Sequence, residues 1–401
     1  MLIFMINRVS DLPIGIRSWE RKATELASLQ FPTDNFYPPG SALLLIPFVW
    51  NRPNFEFGVF FYFVAAALIY ALICRRLITN RSLRIFALLS FSFNPYLLWL
   101  VNSSQDTVFE LFLLLSWAAL LISGRFILSF FPLYLLCLTR PAYWVLFLLL
   151  PLATRILKIE NRSNSIISKR GIFFPTLFLL LTLGLNQIAF SSPSLAHEGG
   201  LTAQFSHNRF FYLSMPKFDM DVFLSTGGNM DPKSVIKGNA KFPNLKDEHL
   251  RAALISIVEN PKSVVLNSMQ KLDSYLFAVQ KNPQLPGEYY LAPDKKSIII
   301  GDERLSWTLI LGNLAYFLYR AILLISLISV ATLYFSSSTL RKHLGRSSSL
   351  LLALPFISGL IPGLLFYTES RFKVVSELLL VPLVLMIFNE YRKLRKSGAL
   401  I

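Results

Sequence analysis

Nine apolar runs, most of them close to the length that crosses a bilayer, succeed one another along this chain, near residues 57–74, 85–101, 107–123, 126–139, 142–156, 172–191, 308–334, 349–366 and 374–389. A helix of about 20 apolar residues satisfies its own backbone across hydrocarbon, and shorter ones are tolerated where protein surrounds them. Hydrophobic residues make up 54% of the 401 and charged ones only 15%, so no ordinary soluble domain is described. The expectation is an all-α polytopic membrane protein. Residues 41–50 are apolar but too short to cross alone, and they fit a surface or re-entrant helix.

Charge sets the direction of the runs. Basic clusters follow the first, third, fifth, seventh and ninth: Arg75, Arg76, Arg81 and Arg84; Arg125; Arg155, Lys158, Arg162, Lys169 and Arg170; Arg341, Lys342 and Arg346; and Arg392, Lys393, Arg395 and Lys396. Alternation puts every cluster on one side, which the positive-inside rule makes the cytoplasm. The net charge of +16 therefore reports topology and calls for no nucleic acid. The other, external side receives residues 1–40, the turn Asn102–Asp106, the turn at Thr139-Arg140-Pro141, the long segment 192–305 and the turn 368–373. Segment 192–305 is the only part large enough for an external subdomain, of mixed polar and aromatic character. It should hold helices from Leu245 to about Val258 and from Ser263 to Phe277, the second amphipathic and suited to the membrane surface.

On the external side lies the box Phe36-Tyr37-Pro38-Pro39-Gly40. Two prolines stop a helix arriving from upstream, and Gly40 lets the chain turn before the next one. Asp11, Glu20, Glu25 and Asp34 precede the box, and Asp106 opens the span that starts at Thr107. An acid held at the membrane edge can accept a proton from a hydroxyl or hold a divalent metal; it can equally be a solvated loop acid or, for Asp106, a helix cap. Arg140, Arg371 and Lys373 stand at external span ends and Arg320 inside a span. A guanidinium at that depth is costly unless paired, so it either meets a phosphate, which its planar fork fits, or a carboxylate of the protein.

Other chemistry is not indicated. His197, His207, His249 and His343 have no ligand spacing, and Cys74 and Cys137 sit in apolar runs. There is no nucleophile elbow, phosphate-cradling glycine loop or dinucleotide fingerprint. No organic cofactor is expected, and a divalent metal stays open.

The order of these landmarks resembles the C-type (GT-C) membrane glycosyltransferases, in particular bacterial relatives of the protein O-mannosyltransferases and of the lipid A aminoarabinose transferase. The resemblance rests on Ser18-Trp19, Ala23-Thr24-Glu25-Leu26, the box Phe36 to Gly40 with Leu43-Leu44-Leu45-Ile46-Pro47, Asn94-Pro95, Asp106 and Leu138-Thr139-Arg140-Pro141. It continues through Ser225-Thr226-Gly227-Gly228-Asn229, Asn260-Pro261, Lys271-Leu272 and Glu369-Ser370-Arg371-Phe372-Lys373. It implies a GT-C-like bundle of about nine spans, with a further span before the first loop, in a bacterial inner membrane with the site facing the periplasm. Residues 1–40 would be the catalytic-type loop, 41–191 and 306–401 the membrane helices, and 192–305 the external subdomain.

The implied reaction is inverting transfer of a sugar from a polyprenyl-phosphate carrier to an acceptor lipid, glycan or protein. A first-loop acid would be the base, with Arg140, Arg371 and Lys373 holding the lipid phosphate and Tyr37, Pro38, Pro39, Gly40 and Glu369 positioning the loop. The family places its acid four residues before the aromatic that corresponds to Trp19, which here is Gly15, so Asp11 is the first assignment, Asp34 the second and Asp106 a further candidate. Two other classes share many spans and a large external loop: an O-antigen polymerase or ligase, and a transporter or flippase. The sequence shows no inverted repeat to favour the last.

Overall fold

The computed structural model describes residues 14–30, 32, 39–49, 54–94, 97, 107–156, 173–190, 203–204, 206–207, 231–245, 247–276, 289–291, 298–300, 307–344, 348–365 and 370–398. Among these the fold is helical apart from one antiparallel ribbon of β1 (Tyr289–Leu291) and β2 (Ile298–Ile300), with Tyr290 opposite Ile299. The chain divides into two units, one of residues 1–195, 322–359 and 374–401, the other of 196–321 with 360–373.

In the first unit α1 (Ile14–Ala27) precedes the short α2 (Gly40–Leu45), which tightens into a 3-10 turn at Ile46–Phe48. The expectation that this apolar block is too short to cross holds, because Pro47 ends its regular bonding. Next come α3 (Asn54–Leu77), α4 (Arg81–Ser92), α5 (Thr107–Ile122), α6 (Phe126–Thr139), a 3-10 turn at Pro141–Tyr143, α7 (Trp144–Ile156) and α8 (Phe173–Phe190). Helix α4 starts where the Asn80 side chain accepts from the Leu83 amide at 3.1 Å. It does not run on to residue 101 as the apolar pattern suggests. Asn94 precedes Pro95, whose ring disfavours helical geometry before it, and the Asn94 side chain instead accepts from the Leu97 amide at 3.2 Å.

Helix α5 is the centre of this unit. It packs on α3 and α6, and Phe109, Leu111, Leu114, Leu115, Trp117, Ala118 and Leu121 are all buried. A helix apolar all round must be enclosed, and in lipid that enclosure rests on close packing more than on hydrophobic transfer. Tyr62 of α3 joins the packing, its ring against Phe109 and Phe112 and its hydroxyl donating to the Leu44 carbonyl of α2 at 2.9 Å.

The second unit contains α9 (Pro232–Ile236), α10 (Glu248–Glu259), α11 (Pro261–Leu276) and the β ribbon. The expected pair of helices in the external segment is therefore present, divided at Asn260-Pro261. The Asp247 carboxylate caps α10 by accepting from the Leu250 amide at 3.0 Å. Three helices follow: α12 (Trp307–Ser336), α13 (Ser338–Leu344) and, after a 3-10 turn at Ser348–Ala353, α14 (Leu354–Leu365). A last helix, α15 (Ser370–Lys396), ends in Lys393, Arg395 and Lys396.

Among the described residues four stretches are long and apolar enough to cross a membrane: Phe57–Leu77, Leu318–Ser336, Ser348–Leu365 and Lys373–Lys396. Shorter apolar helices lie at Thr107–Ile122, Phe126–Thr139, Pro141–Thr154 and Thr176–Ala189. These stretches are those of a membrane protein; among the described residues nine full-length spans are not found, because α4 stops at Ser92 and four of the other runs are short helices. Three of the five ends that carry basic clusters meet within the first unit. Arg76 donates to the Ser123 hydroxyl at 3.0 Å, and the Asn389 amide donates to the Thr79 hydroxyl at 2.9 Å.

Candidate functional site

The opposite ends of the same helices hold a buried ionic group. Glu110, in the first turn of α5, is fully buried. Arg140, which follows α6, pairs through Nε with Glu110 Oε1, and the Tyr143 hydroxyl donates to Glu110 Oε2 at 3.3 Å. The guanidinium side chain keeps 22% of its surface exposed. Of the two partners open to Arg140, the structure shows the carboxylate.

Gly40 brings the start of α2 to this place. A Cβ built on Gly40 would lie 2.4 Å from the Thr139 amide nitrogen and 2.5 Å from both the Leu138 carbonyl carbon and the Thr139 Oγ1. Helix α2 thus starts in direct backbone contact with the turn that presents Arg140, an approach open only to glycine. The Thr139 hydroxyl is held by its own bond to the Leu135 carbonyl at 2.9 Å.

Asp11, Asp34, Asp106, Tyr37, Pro38 and Glu369 lie outside the described residues. Arg371 falls in the first turn of α15, where the backbone alone is described, and Lys373 of the same turn is buried. Among the described residues no three His, Cys, Asp or Glu side chains converge as a metal site; of the first-loop acids Glu20 and Glu25 lie in α1, while Asp11 and Asp34 lie outside the described residues. Glu110 and Tyr143 were not singled out from the sequence. The available signal was an acid inside an apolar helix, two spans before an external arginine.

In the second unit two buried cations, Arg320 and Lys271, are turned toward helix ends. Arg320 donates to the Tyr275 carbonyl, one of the last four of α11. Lys271 donates through Nζ to the Leu364 carbonyl at 3.2 Å, and the Ser206 hydroxyl reaches the Leu365 carbonyl at 3.3 Å. These bonds satisfy carbonyls that a helix leaves without partners, and cations suit the negative end of the dipole.

Burial lowers Lys271 to about 7 from an ordinary 10.5. Burial, then the Lys271 charge, lowers His207 to about 4 from 6.5, against the pull of its bond to the Leu365 backbone. Both folded values lie below the unfolded ones, so the unfolded chain binds more protons between each pair of values. Stability should therefore rise with pH from about 4 to 6.5 and again from about 7 to 10.5. Thermal unfolding followed across these windows checks this: Lys271→Met should abolish the upper rise and, by removing a charge that lowers His207, shrink the lower one.

Comparison of the chain with protein-family models, curated proteins and solved structures gives no match.

Proposed function

We propose that the chain is a GT-C-type membrane glycosyltransferase that moves a sugar from a polyprenyl-phosphate carrier to an acceptor at the membrane surface. The observation that carries this reading is the contact of Gly40 with the Thr139 backbone. It sets the end of the acidic first loop against the Glu110, Arg140 and Tyr143 group. Gly40, the last residue of the acid-bearing first loop, is then a neighbour of the turn that presents a cation.

In the proposed reaction Asp11, or Asp34 in its place, takes the acceptor hydroxyl proton as that oxygen attacks the anomeric carbon. The bond from that carbon to the phosphate oxygen breaks on the opposite face, giving inversion, and its electron pair leaves with the polyprenyl phosphate. The candidates to supply positive charge where negative charge grows on the leaving phosphate are the exposed part of Arg140 and, independently of it, Arg371 and Lys373. Glu110 and Tyr143 act as positioning residues for Arg140.

Membranes holding the protein should convert a polyprenyl-phosphate sugar into free polyprenyl phosphate and a product heavier by one sugar. Products heavier by whole oligosaccharide units would identify a polymerase or ligase, and movement of lipid without any covalent product would identify a flippase.

A further inference from the structure

Helix α11 is built with its polar side inward. At 100° per residue, Leu272, Val265, Met269 and Leu266 share one sector, while Asn267, Lys271 and Tyr275 share the opposite one. The first group is exposed: Val265 by 60%, Met269 by 64%, Leu266 by 44% and Leu272 by 39%. The second group is buried, Asn267 and Lys271 completely. In a helix lying on a protein in water the two sides would be exchanged.

Two hydrogen bonds fix where this helix lies. Lys271 Nζ holds the carbonyl of Leu364, the next-to-last residue of the candidate span Ser348–Leu365. Arg320, the third residue of the candidate span Leu318–Ser336, holds the carbonyl of Tyr275 at the other end of the same sector. All four residues belong to the second unit. The helix is thus tied to the terminus of one span and to the start of another, at the depth where hydrocarbon gives way to headgroups. Near Leu364, Ile361 and Leu365 of α14 are exposed in the same way, which continues the apolar surface from the span toward α11. Lys262 in the first turn and Asp273 in the last lie in the outward sector, and the four apolar residues stand between them. A lysine stem can carry its ammonium up to the headgroups.

We propose that α11 is an interfacial membrane helix, with Val265, Leu266, Met269 and Leu272 sunk about 5–10 Å into the boundary of the leaflet at the carboxyl-terminal end of α14. Its occupant is lipid of the same bilayer that the spans cross. The buried cations on its inner side serve to hold it there, and the segment after α10 is thereby a membrane-bound part of the chain. This holds whether or not the protein transfers sugar.

Nitroxide labels placed one at a time test the assignment, using the full chain with Cys74→Ala and Cys137→Ala in phosphatidylcholine vesicles. Both native cysteines are buried, and the labelled positions are exposed, so the fold should survive. With Val265→Cys and Met269→Cys, dissolved oxygen should relax the label more than a water-soluble nickel complex does. With Glu248→Cys, an exposed position at the start of α10, the order should reverse. Dominant relaxation by the nickel complex at positions 265 and 269 would place this face in water and overturn the proposal. Shielding of both positions from both reagents would overturn it too, since the face would then be covered by protein.

Discussion

Arg140→Ala should sharply reduce the amount of folded protein that reaches the membrane and abolish whatever transfer remains. The substitution leaves the Glu110 carboxylate fully buried without its cation. Breaking a buried pair from one side costs about 3–5 kcal/mol, a large share of the stability of most domains. Loss of folding alone would not show a role in the reaction. Replacing Glu110 by leucine, Arg140 by methionine and Tyr143 by phenylalanine together removes every polar atom of the group at once. Such a replacement is often neutral or stabilising, so the triple variant should regain its thermal unfolding midpoint in detergent. On the proposed reaction its transfer rate stays well below that of wild type, because the Arg140 guanidinium no longer opposes the charge of the leaving phosphate. A triple variant that is both folded and fully active would show that the pair is only a strut.

The second large effect is expected at Gly40. The smallest side chain, in Gly40→Ala, would put a methyl group within 2.5 Å of the Thr139 backbone, and a backbone atom cannot swing aside as a flexible side chain can. Helix α2 must shift, at a cost of about 1–3 kcal/mol typical of overpacking. Tyr62, whose hydroxyl bonds the Leu44 carbonyl, would be drawn along with it. Because two of the three close atoms are backbone, Thr139→Ala should not rescue the variant. Unfolding midpoints of the single and double variants decide this: Gly40→Ala should fall below wild type, and adding Thr139→Ala should not bring it back.

Much of the helical framework can be read from the sequence. The runs at 126–139 and 172–191 emerge almost to the residue as α6 and α8, since apolar length and flanking Gly, Pro or Arg determine both ends. The run at 85–101 fails because hydropathy does not sense Asn94-Pro95, where a local side-chain bond and the proline ring override an apolar context. Length misleads in the other direction for α5, α6 and α7, which are too short for a lone span; the burial of α5 between α3 and α6 shows why a short helix can be sufficient.

The candidate site is less legible. Arg140 stands out because a cation beside an apolar hairpin is conspicuous, whereas Glu110 does not, since its meaning depends on a partner 30 residues away. Gly40 looks like a turn residue in the sequence, but its close approach to Thr139 is a property of tertiary packing that no local pattern records. Lys271 shows the converse. A basic residue on an amphipathic helix reads as the wet side, yet it is buried and holds a helix end, which reverses the face that meets its surroundings.

The central claim concerns lipid-phosphate chemistry, and free polyprenyl phosphate is its most direct readout. Purified protein in nanodiscs, supplied with a panel of polyprenyl-phosphate-linked hexoses and pentoses and an envelope extract as acceptor, should release one lipid phosphate per sugar transferred. Arg371→Ala should lower that rate by about 10²–10³, as expected when one stabilising donor at a developing anion is lost. No release from any donor by folded wild-type protein, or equal release by wild type and Arg371→Ala, would contradict the account.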